Sequence, residues 1–235
     1  MNWGWIGNNL DLIGGRILEH LALTAPPIVI GLVLSIPLGY AASRSRVARS
    51  ILLSLGGVLY TIPSIALLVL VPVIFGFLIL DPLNLVFALS IYAVAIMVRS
   101  AADAFASVSA DVRGSATATG FSAWQRFFGV ELPLAGPVLL AGIRVVSVST
   151  VSIASVGALI GIDQLGSFFT DAFQRQFLTE AIVGIVGILV IAAVYDVILM
   201  RVASLLLPWN RRRPAKMASS GSDGVAVGAS GGVAL

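Results

Sequence analysis

Cysteine is absent from the chain, histidine occurs once, at His20, and lysine occurs once, at Lys216. Without cysteine there is no disulfide framework, no thiolate nucleophile and no thiolate-held metal, and a single imidazole cannot build a metal cluster. The lone lysine lies near the C-terminus, so no Gly-x-x-x-x-Gly-Lys-Ser/Thr loop exists to cradle nucleotide phosphates. The chain is therefore not its own ATPase of that kind. Charge is scarce too: 11% of the 235 residues, against about 25% in soluble domains. The acids are scattered singly, whereas a membrane-embedded enzyme acting on a lipid or isoprenoid needs carboxylates, histidines or a metal set gathered at one face. An autonomous channel is distinguished by flux that needs no ATP.

What is present is apolar. Hydrophobic residues make up 58% of the sequence and the mean hydropathy is +1.04, which predicts an all-α integral membrane protein. Net charge +3 and a pI near 9.8 fit arginines retained on the cytoplasmic side better than a nucleic-acid partner. The N-terminus, MNWGWIGNNLDL, lacks the basic and compact apolar regions of a cleavable signal peptide, so the first long apolar run is expected to remain as a span.

Residues 1–17 mix Trp3, Trp5, Ile6, Leu10, Ile13 and Ile17 with Asn, Gly, Asp11 and Arg16, as suits an interfacial segment. Five spans follow within 18–209: Leu21–Ser43, bent by Pro26, Pro27 and Pro37; Ser50–Leu80, broken near Pro63 or Pro72; Asn84 to about Ser107; about Leu134 to Ile160; and about Thr179 to Leu207. Two crossings from Ser50–Leu80 would each be too short for a ~30 Å hydrocarbon core. Arg44, Arg46 and Arg49 read as a compact basic loop. Residues 210–235, opening with Arg211, Arg212, Arg213 and Lys216 and continuing as Gly, Ser, Ala and Val, read as a basic and then disordered cytoplasmic tail. With the N-terminus outside, nearly every arginine away from the spans falls on the inner side and only Arg16 and Arg175 fall outside, which predicts that orientation.

The longest polar-containing stretch between apolar runs is 111–133, DVRGSATATGFSAWQRFFGVELP. Ser115 to Ala118 are small enough for close helix contact, Gly120 permits a turn that a Cβ hinders, and Pro133 is placed to open the next helix. A helix, a turn, a second short helix and re-entry into the membrane are expected.

The stretch resembles the cytoplasmic coupling loop of ABC importer permeases, whose pattern is Glu-Ala-Ala, three residues, Gly, nine residues, then Ile-x-Leu-Pro. Gly114, Ser115 and Ala116 stand where that family has Glu-Ala-Ala, Gly120 matches the Gly, Val130 stands for the Ile, and Leu132 and Pro133 match. The resemblance widens to the osmoprotectant branch through Glu19-His20-Leu21, Thr61-Ile62-Pro63-Ser64, Ile96 to Arg99, Leu132 to Arg144 with its Ala-Gly-Ile-Arg ending, and Asp196. The Gly-rich stretch after the fourth span is altered here to Gly157 through Gly166. The resemblance implies a type I (MetI-like) importer permease of about five transmembrane helices, coupled through 114–133 to a separate ATPase. It implies no cofactor on this chain, with ATP and Mg on the ATPase subunits. A second permease subunit and an extracytoplasmic substrate-binding protein are implied as partners beside membrane lipid. The implied cargo is glycine betaine, carnitine or choline, with another small solute such as an amino acid as the alternative.

Four charges lie in or near spans: Arg99, Asp103, Arg144 and Asp196. Isolated charges are costly there, so Arg144 or Arg99 is expected to be neutralised by Asp196 or Asp103, either locking helices together or lining the translocation path. Phe169, Phe173 and Phe177 recur every four residues in the outer loop. Such a stripe reads as packing or interfacial anchoring, or as an outer gate whose aromatic faces attract a quaternary ammonium group. His20 reads as an interfacial polar residue.

Overall fold

The first long helix is continuous well beyond the apolar run that defines it in the sequence. In the computed structural model, which describes residues 1–76 and 78–210, α1 (Trp3–Asn8) leads into α2 (Leu10–Arg44), 35 residues long. At 1.5 Å per residue that is roughly 52 Å, well above the ~30 Å of hydrocarbon. The residues expected to form a separate interfacial segment thus supply α1 and the first two turns of α2. The helix passes through Pro26, Pro27 and Pro37. The basic run Arg211, Arg212, Arg213 and Lys216 and the remainder of the tail lie outside the described residues.

One face of α2 carries Gly31, Ser35, Gly39 and Ala42, all buried and spaced to lie on one side of a helix. This face meets α5 (Pro82–Ala106) at backbone distance. A Cβ on Gly31 would stand 2.7 Å from the Ala93 Cβ, and one on Gly39 would stand 2.4 Å from the Ala101 Cβ and 2.7 Å from its carbonyl carbon. The Ser35 hydroxyl donates to the Val94 carbonyl across the seam, 3.4 Å. Lipid tails are as apolar as leucine, so helices in a bilayer associate through such close packing rather than through escape from water. In the same core, Met97 and Phe105 of α5 pack with Ala135, Leu139, Ile143 and Val146 of α8 (Leu132–Ala154). α5 is consequently the most enclosed helix of the bundle.

The second predicted span is two helices. α3 (Arg46–Thr61) and α4 (Ser64–Phe75) meet at 106° around Ile62 and Pro63. Proline lacks an N–H and drives the residue before it to an extended conformation, as Ile62 shows with φ −65° and ψ 128°. The freed Ile62 carbonyl accepts from the Tyr92 hydroxyl of α5 at 2.5 Å. Of the two prolines expected to break the segment, Pro63 does so and Pro72 stays inside α4. Among the described residues four helices are long and apolar enough to cross a membrane, and the spans number five if the bent pair counts as one. The expected basic loop is instead a one-residue corner. Ser45 alone separates α2 from α3, and its hydroxyl accepts from the Ala48 N–H at 3.3 Å.

At the opposite end of the bundle α8 tightens into a 3-10 turn (Ser155–Ile160), followed by α9 (Ser167–Arg175) and α10 (Leu178–Leu206). His20 is fully buried there rather than interfacial. Its Nδ1 lies 2.6 Å from Gln164 Oε1 and its Nε2 lies 3.1 Å from the Val151 carbonyl. The Gln164 amide is oriented by three further bonds: its Oε1 accepts from the Gly166 N–H, and its Nε2 donates to the carbonyls of Ala154 and Ser155. The oxygen therefore accepts from His20, and both ring nitrogens face acceptors. The carbonyls freed where α8 changes pitch are satisfied within the protein, as a membrane demands.

The α2–α5 seam makes a stability prediction. Gly39→Leu should lower thermal stability in detergent by about 1–3 kcal/mol or more, because the added side chain meets α5 backbone rather than a side chain that can swing away. Gly14→Ala, with nothing within 4 Å of its Cβ position, should leave the melting temperature unchanged.

Candidate coupling site

α6 (Ala110–Ala118) is opened by Ser109, whose hydroxyl accepts from the Val112 N–H at 3.3 Å. It closes through Thr119 and Gly120, whose φ of +88° needs a glycine. The Gly120 N–H returns to the Thr117 carbonyl and the Phe121 N–H to the Ala116 carbonyl. Ser122 and Gln125 then form a reciprocal capping box at the start of α7 (Ala123–Arg126). The helix, turn and short helix read from the sequence are present.

Re-entry differs from the expectation. The chain does not start a new helix at Pro133 but runs on from α7 through a π turn (Phe127–Glu131) into α8, giving one apolar helical element from Ala123 to Ile160. An α-helical bond at position 133 would need the N–H that proline lacks, and its ring would press on the carbonyl four residues back, Gly129. The π turn widens the helix at that place, with the Leu132 N–H bonding to the Phe127 carbonyl.

The motif residues divide by exposure. Gly114 and Ser115 are exposed on α6 and Ala116 is buried against the body of the protein. A Cβ on Gly114 would meet nothing within 4 Å. Val130, Leu132 and Pro133 are half-buried in the π turn and the start of α8. The outward surface of the stretch includes Val112, Gly114, Ser115, Ala118 and Phe121 among polar Asp111, Thr117, Thr119, Ser122 and Gln125, with Trp124 (73% exposed) and Phe128 stacked beside it, ring centroids 5.8 Å apart.

Beneath this surface lies a carboxylate that the motif does not include. Glu131 is 1% exposed and ion-paired on both oxygens, Oε1 to Arg126 Nε at 2.9 Å and Oε2 to Arg44 at the end of α2. The Arg126 Nη1 also donates to the Thr117 hydroxyl on α6 at 2.8 Å. Arg44 donates to the Tyr40 hydroxyl at 3.1 Å and lies over that ring, 4.8 Å from its centroid. Tyr40 packs edge-on against Phe105 and Phe127. The sequence signal available was an acid five residues after Arg126 in an otherwise apolar run.

Of the four intramembrane charges, Arg144 and Asp196 pair with each other, Asp103 pairs with a residue outside the four, and Arg99 makes no ion pair among the described residues. Arg144 of α8 and Asp196 of α10 are bidentate partners, Nη2 to Oδ2 at 2.9 Å with Nε on the other oxygen. Asp103 pairs with Arg49 of α3 at 2.5 Å and not with Arg99 one turn away on its own helix. Arg99 lines a surface cleft of about 620 Å³ between α3 and α5, together with Arg46 and Arg49. The aromatic stripe of the outer loop does not share one helix face. Phe169 and Phe173 lie on α9, Gln176 turns left-handed at φ +52°, and Phe177 sits beyond the turn, edge-on to Trp5. Phe173 is 86% exposed and Phe177 half-buried, while the neighbouring Phe168 is the fully enclosed ring.

Residues 22–212 match the family described as binding-protein-dependent transport system inner membrane component. The chain belongs to that family. It is a multi-pass inner-membrane permease subunit of a transporter. Among its relatives, the osmoprotectant import permease protein OsmW of Salmonella typhimurium is 29% identical over 203 residues, 86% of this chain and 94% of that protein. The glycine betaine/carnitine/choline transport system permease protein OpuCB of Bacillus subtilis is 26% identical over 197 residues, 81% of this chain and 88% of that one. In fold, the permease is similar to the MetNI methionine ABC transporter in its inward facing conformations, with a TM-score of 0.67 at 19% identity over 87% of this chain and 99% of that one. The architecture is that of a type I importer permease.

The α8–α10 pair yields a second prediction. Arg144→Ala and Asp196→Ala should each reduce the yield of folded permease in membranes, since each leaves an uncompensated charge. The charge-exchanged double variant Arg144→Asp/Asp196→Arg should recover part of the loss. Undiminished yield in both single variants would show that the pair is dispensable.

Proposed function

We propose that this permease forms the translocation path for an osmoprotectant of the glycine betaine, carnitine or choline class, driven by a separate ATPase that docks on 114–133. The observation that carries the reading is the coupling stretch itself: α6 and α7 expose Val112, Gly114, Ser115, Ala118 and Trp124 among polar residues, around a glycine turn, and α7 is joined without interruption to a membrane-crossing helix. Agreement in named substrate class between two relatives, each matched over more than four-fifths of this chain, supports the cargo. ATP and Mg belong to the ATPase subunits in this reading. A binding protein delivers solute from outside, and a second permease subunit completes the pore. An unpacked stripe on α8, formed by Leu134, Val138, Ala141, Val145, Val148 and Ser152, supports a membrane-facing or subunit-facing surface at that place.

The orientation places the N-terminus outside and the coupling stretch in the cytoplasm. It is supported by Arg44, Arg46, Arg49, Arg113 and Arg126 gathering at one end of the bundle and by Arg16 and Arg175 at the other. Because the chain has no cysteine, single replacements report cleanly. Ser45→Cys and Ser122→Cys should be shielded from an impermeant thiol reagent applied to intact cells, whereas Gln174→Cys should react. Labelling of Ser122→Cys from outside would overturn the orientation.

Reconstitution with ATPase subunits and candidate binding proteins, followed by ATP-dependent uptake of labelled glycine betaine, carnitine and choline, tests the function. Uptake of none of the three by a complex that transports an amino acid would overturn the substrate class. Ala116 points inward, so bulk at the docking surface is tested at Ser115 and Ala118. Ser115→Trp or Ala118→Trp should lower uptake by about tenfold or more at equal membrane abundance. Wild-type uptake by both, with the ATPase bound, would remove the stretch from the mechanism.

A further inference from the structure

We infer that Glu131 is a positioning residue that makes the cytoplasmic end of α2 move as one body with the coupling stretch, so that ATP-driven displacement reaches the first span as well as α8. The inference rests on the coupling role proposed for 114–133 and adds a second route out of that stretch.

The covalent route is plain: α7, the π turn and α8 are one helix, so force on α6 and α7 reaches α8 through the backbone. No comparable connection exists to α2, which ends 87 residues upstream of Glu131. The link to α2 is made instead by side chains. Thr117 on α6 accepts from Arg126, Arg126 donates to one oxygen of Glu131, and the other oxygen holds Arg44, whose remaining contacts are to Tyr40 on its own helix. The chain of contacts runs from the exposed coupling helix to the α2 terminus without a gap, and its central member is buried.

Three features make this an attachment rather than incidental surface pairing. Two guanidiniums share one carboxylate, so loss of the carboxylate leaves two like charges facing each other at low dielectric. Each oxygen serves a different structural element, so the group ties elements together where a single pair would tie only one. Glu131 also ends the π turn, and such turns inside helices are found most often at functional places. From Gly31 to Ala42, α2 is packed against α5 at backbone contact, so motion delivered at Arg44 is passed to the enclosed helix of the bundle.

The test uses the assembled transporter with its ATPase in proteoliposomes. Spin labels attached after Ser45→Cys and Ala118→Cys replacement report the distance between the end of α2 and the coupling helix. With Glu131 present, the distance should be the same, and narrowly distributed, in nucleotide-free and ATP-bound states. With Glu131→Gln or Arg44→Gln it should broaden and shift on ATP binding. In unlabelled complexes, labelled glycine betaine taken up per ATP hydrolysed should fall by about tenfold in both variants. That ratio does not depend on how much complex assembles. If Glu131→Gln fails to assemble, Arg44→Gln, whose side chain is one-third exposed, decides the matter alone. A distance that changes on ATP binding with Glu131 intact, or an unchanged distance and ratio in Arg44→Gln, would overturn the inference. Uncoupling by Ser115→Trp alongside a normal Arg44→Gln would leave the coupling stretch in place and remove only the route to α2. Normal transport by Ser115→Trp and Ala118→Trp would instead strike at the coupling reading itself.

Discussion

The bundle depends on the approach of α2 to α5 at Gly31 and Gly39, where the two helices come so close that the Ala93 and Ala101 methyls leave no room for a Cβ on α2. In water such a seam would be one contribution among many. In lipid there is no gain from hiding apolar side chains, because the solvent is itself apolar, and the attraction between helices comes from contact density and from hydrogen bonds across the seam. Small residues maximise both. They let the Ser35 hydroxyl reach the Val94 carbonyl, and they bring α5 into the core where Met97 and Phe105 meet α8. Everything that α5 then organises, including the Tyr92 support for the α3–α4 corner and the Asp103 pair with α3, is held in register by that seam.

The same solvent accounts for how polar groups are placed. Two helix breaks meet a side-chain partner for the freed backbone group: Tyr92 at the Ile62 carbonyl, and the Gln164 amide at the carbonyls of Ala154 and Ser155. Charges follow the same rule with larger stakes. Arg144 and Asp196 meet between α8 and α10 and Glu131 meets two arginines. Arg99, which makes no ion pair among the described residues, is the one of the four intramembrane charges left facing an open cleft.

Features written into the backbone were the most legible in the sequence. Gly120 and Pro63 act through φ and the missing N–H, which need no knowledge of neighbours, and both do in the structure what their chemistry requires. Pro133 was harder, because a proline can open a helix or be carried inside one by a π turn, and the choice depends on whether the preceding residues are already helical. Because so few charges of either sign lie in the apolar runs, the sequence narrows the partner of Arg144 to Asp196 or Asp103, and the structure selects Asp196. Asp103 could not be paired from the sequence, since its partner Arg49 is 54 residues away and looked committed to a solvated loop. The Gly31, Ser35, Gly39 face was invisible among 24 glycines, where four-residue spacings arise readily. The burial of His20 is hidden in the sequence for a related reason: a lone polar residue is buried or interfacial according to what packs over it, and Gln164 comes from a loop 144 residues later.

Glu131 shows why a sequence motif and the structure that realises it need not name the same residues. A motif records positions where side-chain identity is restricted at a surface or in a turn, such as Gly114, Ser115, Gly120, Leu132 and Pro133. The residue that fastens those positions to the rest of the protein lies beneath them and is chosen by charges on other helices. Arg44 ends α2, a helix whose sequence otherwise says nothing about coupling, yet it is the group whose position decides whether Glu131 can hold two elements or one. A small rigid helix on the surface transmits force only as far as its attachments extend. With one covalent attachment to α8 and one ionic attachment to α2, the coupling stretch is fixed to two helices that both pack on α5, and α5 must respond to both.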